Sequence, residues 1–319
     1  MTTIAPLSLI GTFKKEDSTY YALYDRLIGQ VVYFNKSTNR MNYTFTIPKN
    51  DTVKFPAMVS VIDWNKILYF NSENQSLVLT TTHEVKSEKL LKIKSNQIEW
   101  KIINTYLNLQ FNKDRTSLLF SLWVDYSNES NPDSLMDERY LFVEIDTHTL
   151  AYNFIPFKPK FKRFNKSNQR IYDIKPFVLQ DTISRYVGFN SFLEDILIYE
   201  NQKKHATQIK GTDYPVEVMY LPRNYTQEDI LKEIEGKVAH RLFYSSKHDV
   251  FIRRIKKWEK EDERQTNVYI VELLNNQFEV KKVFDFEKQL PSFYMSGDNI
   301  FLKLFDRPSQ TMTLYEFTI

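Results

Sequence analysis

The residues best suited to bind a ligand form a basic and aromatic stretch at positions 157–166, FKPKFKRFNK. Its cationic residues are Lys158, Lys160, Lys162, Arg163 and Lys166. Phenylalanines stand between them, and no acidic residue interrupts the stretch. Aromatic rings among cations bind single-stranded nucleic acids or anionic sugars by stacking and charge. A solvated loop, or an edge strand that lysines protect from aggregation, has the same composition. We therefore treat these residues as candidate contacts and keep that alternative open.

A second candidate is the long connection 211–229, GTDYPVEVMYLPRNYTQED, which contains Tyr214, Tyr220 and Tyr225. Long loops on a rigid scaffold often carry binding residues, and tyrosine is common at protein interfaces. The same rings could instead pack over the ends of a sheet. We predict these three tyrosines as candidate contacts for a partner.

Signatures of catalysis, metal binding and cofactor binding are missing from the sequence. The nearest approach to a metal site is His240 with His248 and Asp249 on a probable hairpin, where surface histidines are the ordinary outcome. The chain has no cysteine, which excludes thiolate chemistry, and only 6 glycines, with no phosphate-binding loop. No GxSxG elbow or acidic calcium loop occurs. We therefore assign no catalytic, metal-binding or cofactor-binding residue, and predict no cofactor.

Composition limits the classes of protein and partner. The 319 residues are 42% hydrophobic and carry 43 Lys plus Arg against 40 Asp plus Glu, a net charge of +3. This near balance argues against nucleic acid as the partner. No apolar run approaches the ~18 residues of a membrane span. The N-terminus lacks a basic region, and Pro6 and Ser8 interrupt its apolar stretch, so it does not read as a signal peptide.

The elements that would position these residues repeat along the chain. Each repeat has a short strand, a polar turn, an apolar strand, a second polar turn and a third strand, and the segment 65–80, NKILYFNSENQSLVLT, is the hairpin of one such repeat. The repeats occupy 22–47, 59–81, 107–155, 186–210, 240–286 and 293–319. A spacing of about 53 residues is typical of propeller blades, which bury their faces and hide their edges by radial packing. The pattern predicts an all-β, six-bladed β-propeller of four-stranded antiparallel blades in one domain, 1–319, with a two-domain sandwich as the competitor.

Two further elements complete the predicted fold. The last repeat ends one strand short, so we predict that Leu7–Phe13 (LSLIGTF) joins it and closes the ring, the alternative being a frayed N-terminal arm. The stretch NYTQEDILKEIEG predicts a short helix between blades. Thr226 and Asp229 would cap its start, and Gly236 would end it.

The strand rhythm resembles six-bladed propellers of the NHL and TolB-like type. In particular, it is similar to an uncharacterised propeller family of Bacteroidetes whose members are often envelope lipoproteins. The segments that carry the resemblance are YYALYDRLIGQVVYFN, DWNKILYFNSENQSLVLT and DNIFLKLFDRPSQTMTLYEFTI. The lipoprotein cysteine and signal are missing, and no GH and WD pair is present. The resemblance implies the cell envelope or periplasm if a natural signal precedes this chain, and the cytoplasm otherwise.

These observations favour a non-catalytic binding or scaffolding module that presents end-face loops to a protein, peptide or glycan. The alternative is a carbohydrate-active lyase or hydrolase with a site in the central channel. Polar and ionisable side chains converging on the channel from successive blades would favour the enzyme. The strands we place innermost are mostly apolar, which favours binding and leaves enzymatic activity an open question.

Overall fold

The computed structural model describes fifteen stretches of the chain, and all structural statements refer to them. They are 7–47, 56, 58–81, 84–95, 98–103, 109–123, 140–156, 169–171, 176–217, 220–222, 225–261, 264–286, 292–296, 299–306 and 311–317.

Polar residues at strand ends fold the chain into antiparallel hairpins. Asp25 Oδ1 accepts hydrogen bonds from the backbone N–H groups of Leu27 and Ile28, at 2.9 and 3.3 Å. Asn35 Oδ1 accepts the backbone N–H groups of the residues two and three positions ahead, at 2.9 and 3.1 Å. Asx side chains that bond the backbone two residues ahead stabilise tight turns. These turns separate apolar strands that are too short to be stable alone.

The first two blades are four-stranded antiparallel sheets with strands in chain order. The first contains β1 (Ser8–Lys15), β2 (Ser18–Asp25), β3 (Gln30–Asn35) and β4 (Arg40–Thr46). The second contains β5 (Met58–Asp63), β6 (Lys66–Asn71), β7 (Ser76–Thr81) and β8 (Val85–Leu90). Strands β6 and β7 confirm the hairpin predicted within 65–80.

The third blade carries an additional hairpin that the repeats did not predict. This hairpin is β9 (Ile93–Ser95) and β10 (Ile98–Ile102), and the blade strands are β11 (Gln110–Phe111), β12 (Ser117–Trp123), β13 (Tyr140–Asp146) and β14 (Tyr152–Phe154). Strand β10 pairs with the end of β12, while β11 pairs near its beginning. The hairpin thus extends the blade to a six-stranded sheet.

The remaining elements follow in chain order. They are β15 (Gln169–Ile171), the fourth blade β16 (Pro176–Gln180), β17 (Tyr186–Asn190), β18 (Ile196–Glu200) and β19 (Lys203–Thr207), then β20 (Tyr220–Pro222), helix α1 (Gln227–Ile234), and the fifth blade β21 (Val238–Ser245), β22 (Val250–Glu261), β23 (Arg264–Leu274) and β24 (Val280–Phe286). Last come β25 (Ser292–Ser296), β26 (Asn299–Asp306) and β27 (Thr311–Phe317). Strand β15 pairs with β20, and β25–β27 form a three-stranded sheet.

The core lies between successive blades, since each sheet has apolar side chains on both faces. Phe70 of the second blade meets Phe120 of the third with ring centroids 5.7 Å apart. The third and fourth blades meet at Phe142 and Val178, and the buried Phe251 belongs to the cluster between the fourth and fifth. Complete burial of such a side chain contributes roughly 1.5–3 kcal/mol. Radial packing therefore stabilises sheets that would be marginal alone.

The structure confirms an all-β propeller of four-stranded antiparallel blades, but it has five such blades where six were predicted. The C-terminal strands form a sheet of three. The predicted closure by Leu7–Phe13 is wrong, because β1 pairs with β2 of the first blade across a two-residue turn. That local pairing closes a far smaller loop than a pairing with the other end of the chain, so its entropic cost is lower.

The first blade and the C-terminal sheet nevertheless meet, through side chains. Phe301 is fully buried and packs with Leu9 and Leu23 of the first blade. Its ring lies 5.4 Å from that of Tyr21, in an edge-on arrangement. An exposed ion pair between Lys36 and Glu316 joins the same two sheets.

The predicted helix is confirmed with its caps. Thr226 is the N-cap of α1, and the side chain of Asp229 completes the capping box. Gly236 has a φ of 74°, a left-handed conformation that glycine adopts without strain. No helix among the described residues is long and apolar enough to cross a membrane.

Candidate binding surface

The strand order gives the propeller two distinct ends. Each blade runs down, up, down and up, so the link from its fourth strand to the next blade leaves at the end where its second and third strands join. We call this the connection end. The turns between first and second strands, and between third and fourth strands, lie at the opposite end, which we call the turn end. The described part of the predicted contact stretch 211–229 belongs to the link between the fourth and fifth blades, and hence to the connection end.

The link between the fourth and fifth blades, 208–237, packs onto the fifth blade. Val216 and Ile234 of the link are buried with Val238, Ile255 and Phe192 in one apolar cluster. Helix α1 thus lies with Ile230 and Ile234 turned inward. Leu231, three residues before Ile234, lies at the edge of this face and is 41% exposed.

A buried arginine anchors the start of this link. The Arg253 side chain on β22 is 1% exposed and faces the Glu272 carboxylate on β23, which is fully buried. Arg253 Nη1 donates to Glu272 Oε2 and to Thr212 Oγ1, both at 2.7 Å. Arg253 Nη2 donates to the backbone oxygen of Tyr214 at 2.8 Å. Two of these bonds cross from the blade to the link, so the guanidinium holds the link against the sheet.

The Thr212 hydroxyl completes the contacts of the buried carboxylate. It donates to Glu272 Oε1 at 2.6 Å, and it accepts the backbone N–H of Tyr214 at 3.1 Å. Both carboxylate oxygens therefore have partners. A buried ion pair offsets its desolvation cost only when such additional hydrogen bonds are present.

His240 on β21 supports the arginine from the other side. Arg253 Nε donates to His240 Nδ1 at 3.0 Å, and His240 Nε2 lies 2.8 Å from the backbone oxygen of Asn190. One ring nitrogen therefore accepts and the other donates, which is the pattern of the neutral imidazole. Burial, and to a smaller extent the neighbouring Arg253 charge, lowers the pKa of His240 to about 3. Desolvation also lowers the pKa of Arg253, and Glu272 opposes this effect.

Sequence reasoning missed this network, although strand alternation contains a signal for it. Phe251, Arg253 and Ile255 alternate on the buried face of β22, and each is at most 1% exposed. Glu272 lies directly across from Arg253 in the strand register. A charged residue at a core position on each of two paired strands predicts a buried ion pair.

The structure places the predicted contact residues differently. Tyr214 is half-buried and packs against the apolar cluster beneath α1. Tyr220 pairs with Ile171 through its backbone in β20. Tyr225 is 42% exposed immediately before the helix cap. Lys158, Lys160, Lys162 and Arg163 lie outside the described residues.

A polar cluster at the turn end joins the fourth and fifth blades. The Asp181 carboxylate pairs with Arg185 Nε at 2.7 Å, and Arg185 Nη1 donates to the backbone oxygen of Asn276 at 3.0 Å. Asp249 accepts hydrogen bonds from Tyr244 and Asn276, and these lower its pKa. The Asp249 carboxylate is thus bonded to neighbouring side chains, and His240 belongs to the buried network around Arg253. Within the described stretches, no three His, Asp or Glu side chains are grouped as metal ligands.

The first strands of the blades line the axis and carry few charges. Considering β1, β5, β11, β16 and β21 as described, their Lys, Arg, His, Asp and Glu residues are Lys14, Lys15, Asp63, His240 and Arg241. The first three lie at the turn-end tips of β1 and β5, and His240 is buried. Asp63 is the one carboxylate among the described residues of these five strands.

Comparison with known proteins supports the fold. No family model and no curated protein matches the sequence. A crystal structure of a DUF4221 family member from Bacteroides vulgatus superposes with a TM-score of 0.68 at 13% identity. The match covers 98% of this chain and 93% of the Bacteroides vulgatus chain. A putative exported protein from Bacteroides fragilis gives a TM-score of 0.49 at 11% identity, covering 96% and 82%. The first likeness shows a shared propeller fold.

Proposed function

We propose that this protein is a non-catalytic binding propeller that presents the loops of its connection end to a protein, peptide or glycan. The observation that carries the proposal is the Arg253 anchor, which fixes the base of the 208–237 link to the fifth blade. A fixed base reduces the conformational entropy lost when the link binds a partner. Binding loops on a rigid scaffold have this construction.

The exposed residues of the link form the centre of the proposed surface. Tyr225 and Leu231 are 42% and 41% exposed, and they flank the first turn of α1. Ile234 is buried and Ile230 is partly buried in the apolar cluster, and they hold the helix on the blade. A tyrosine and a leucine on an anchored helix provide apolar contact area at low entropic cost. We also keep Lys158, Lys160, Lys162 and Arg163, which lie outside the described residues, as proposed contacts that would contribute positive charge.

The buried ionisable network of the fifth blade supports binding over catalysis. Arg253, Glu272 and His240 direct their hydrogen bonds to each other, to Thr212 and to the backbone. A general acid or base has to reach the proton that it transfers. None of these three groups is open to a bound substrate. We further propose that the chain acts as one propeller domain.

Binding can be tested on glycan and peptide arrays, followed by titration of each hit. We expect Tyr225→Ala and Leu231→Lys to weaken binding of a hit by tenfold or more, which is typical of contact residues at the centre of an interface. Ile183→Lys is the matched control, because Ile183 is 63% exposed at the turn end. It should leave binding unchanged.

Two outcomes would contradict the proposal. If Leu231→Lys and the wild type bind a hit equally well, the connection end is not the binding surface. Cleavage of an arrayed glycan, detected by mass spectrometry, would show that the protein is a carbohydrate-active enzyme and not a non-catalytic binding module.

A further inference from the structure

Five aromatic rings surround one another at the turn end, between the first and second blades. Trp64, in the turn between β5 and β6, is at their centre. The ring of Tyr20 lies 4.9 Å from the Trp64 ring, that of Tyr33 5.0 Å, that of Tyr43 5.2 Å and that of Phe13 5.9 Å, measured between centroids. We call this group the Trp64 cluster. Of its members, only Tyr33 is fully buried, and the others are half-buried.

A cation already occupies this cluster. Lys15 is the last residue of β1, and its Nζ lies 4.2 Å from the centroid of the Trp64 ring. This is well within the ~6 Å range of cation–π attraction. Along the described chain, no carboxylate forms an ion pair with Lys15. The ring system is therefore what holds the ammonium group in place.

Acidic residues at the same end add to the attraction for cations. The two-residue turn beside Lys15 consists of Glu16 and Asp17, and Asp63 precedes Trp64. Asp63 Oδ1 accepts the backbone N–H of Trp64 at 2.6 Å, which fixes the carboxylate beside the ring. Burial raises the pKa of Tyr33, and the charges of Tyr43 and Asp63 act in the same direction. That hydroxyl is buried and has no hydrogen-bond partner among the described residues.

We propose that the Trp64 cluster is a binding site for an alkylated ammonium group, and that Lys15 is a tethered occupant which the ligand displaces. Lysine loses considerable rotamer freedom when its side chain is fixed, so an exposed intramolecular cation–π contact is easily exchanged. A quaternary ammonium suits the rings better, since its methyl groups contact the aromatic faces and its charge is weakly hydrated. This site lies at the opposite end from the surface proposed above and does not depend on it.

The ligand could be a small molecule or a methylated lysine of a peptide, and the experiment separates the two sources. Choline and a trimethyllysine peptide are titrated by calorimetry, and the upfield shift of their N-methyl protons reports ring contact by NMR. The neutral control is 3,3-dimethylbutanol, which has the shape of choline without its charge. We expect choline to bind and its neutral isostere to bind at least several-fold more weakly. Tighter binding of the peptide would identify a protein partner as the source.

The decisive variant is Lys15→Met, which removes the competing charge. It should tighten choline binding by about 2- to 30-fold, the range expected for an exposed to partly desolvated cation–π contact. The matched control is Lys14→Met, because Lys14 precedes Lys15 and projects from the other face of β1. It should leave affinity unchanged. Trp64→Phe, which keeps an aromatic ring, should weaken binding and reduce the upfield shift.

Two results would overturn the proposal. If choline and its neutral isostere bind equally, the cluster is an apolar site without preference for charge. If Lys15→Met shows no choline binding and no upfield shift while its unfolding midpoint matches that of the wild type, the cluster serves only the packing of the two blades.

Discussion

The buried imidazole of His240 makes the stability of the protein depend on pH in a defined window. The pKa of His240 is about 3 in the folded protein, against 6.5 for the ordinary group. Below pH 6.5 the unfolded chain therefore takes up a proton that the folded chain excludes, and folding weakens. The contribution is fully present above about pH 6.5 and is lost progressively as the pH falls toward 3.

The size of this effect follows from proton linkage. The difference between the pKa values of His240 in the unfolded and folded chain corresponds to about 5 kcal/mol of unfolding free energy. About 2–3 kcal/mol of this is lost by pH 4.5. This is a large share of the ~5–15 kcal/mol typical of folded domains. Asp146, Asp229, Asp249 and Glu279 have lowered pKa values, so their contributions are lost only at lower pH. Between pH 6.5 and 4.5, His240 should dominate.

Urea unfolding followed by tryptophan fluorescence, from about pH 7.5 to about pH 4.5, measures this loss directly. His240→Gln should be less stable at pH 7.5, because Arg253 Nε loses its acceptor, but its stability should fall much less toward pH 4.5. His205→Gln is the control, since His205 is exposed on β19, and it should retain the wild-type slope. Equal slopes for wild type and His240→Gln would refute the reasoning.

Three further substitutions test the other features of the fold. Arg253→Met leaves the Glu272 carboxylate buried without its cation, and it should lower the free energy of unfolding in urea by about 3–5 kcal/mol. The double variant Arg253→Met/Glu272→Gln should recover part of this stability. A loss of stability below about 1 kcal/mol would contradict the role of Arg253 as an anchor. Thr226→Ala removes the N-cap of α1 and should speed amide exchange in 227–234 by about fivefold, corresponding to ~1 kcal/mol, without changing exchange in the blades. Phe301→Ala should cost about 3–5 kcal/mol, whereas Lys36→Ala at the same boundary should cost less than about 1 kcal/mol because its ion pair is exposed; the reverse order would contradict the role assigned to burial.

The local features of the fold could be read from the sequence because they depend on local chemistry. The hairpin of β6 and β7 follows from apolar runs on both sides of a polar turn, and α1 follows from Thr226, Asp229 and Gly236. The partner of β1 could not be read in this way, since the strand pattern of LSLIGTF fits either edge. The cost of loop closure decides that choice in favour of the neighbouring β2. This assignment gives the N-terminal strand to the first blade, and the C-terminal sheet has three strands.

The site was less predictable than the fold, because the same residue type serves packing and binding. From the sequence, Tyr214 and Tyr225 are equally good candidates for contact residues, yet Tyr214 packs beneath α1 and Tyr225 is exposed. Trp64 carries no local signal at all, since its ring partners lie on β1, β2, β3 and β4. Arg253 was detectable in principle from its position between Phe251 and Ile255. That inference requires the buried face of β22 to be known first.

The boundary between the first blade and the C-terminal sheet differs from the other boundaries in its covalent chemistry. Consecutive blades stay tethered when their faces separate, because the chain runs from one to the next. The first and last sheets have no such link, and their contact rests on apolar surface around Phe301. Hydrophobic attraction weakens on cooling. We therefore expect the ring of sheets to open at the boundary between the first and last sheets before any blade loses its own strands. Low temperature should favour the open form.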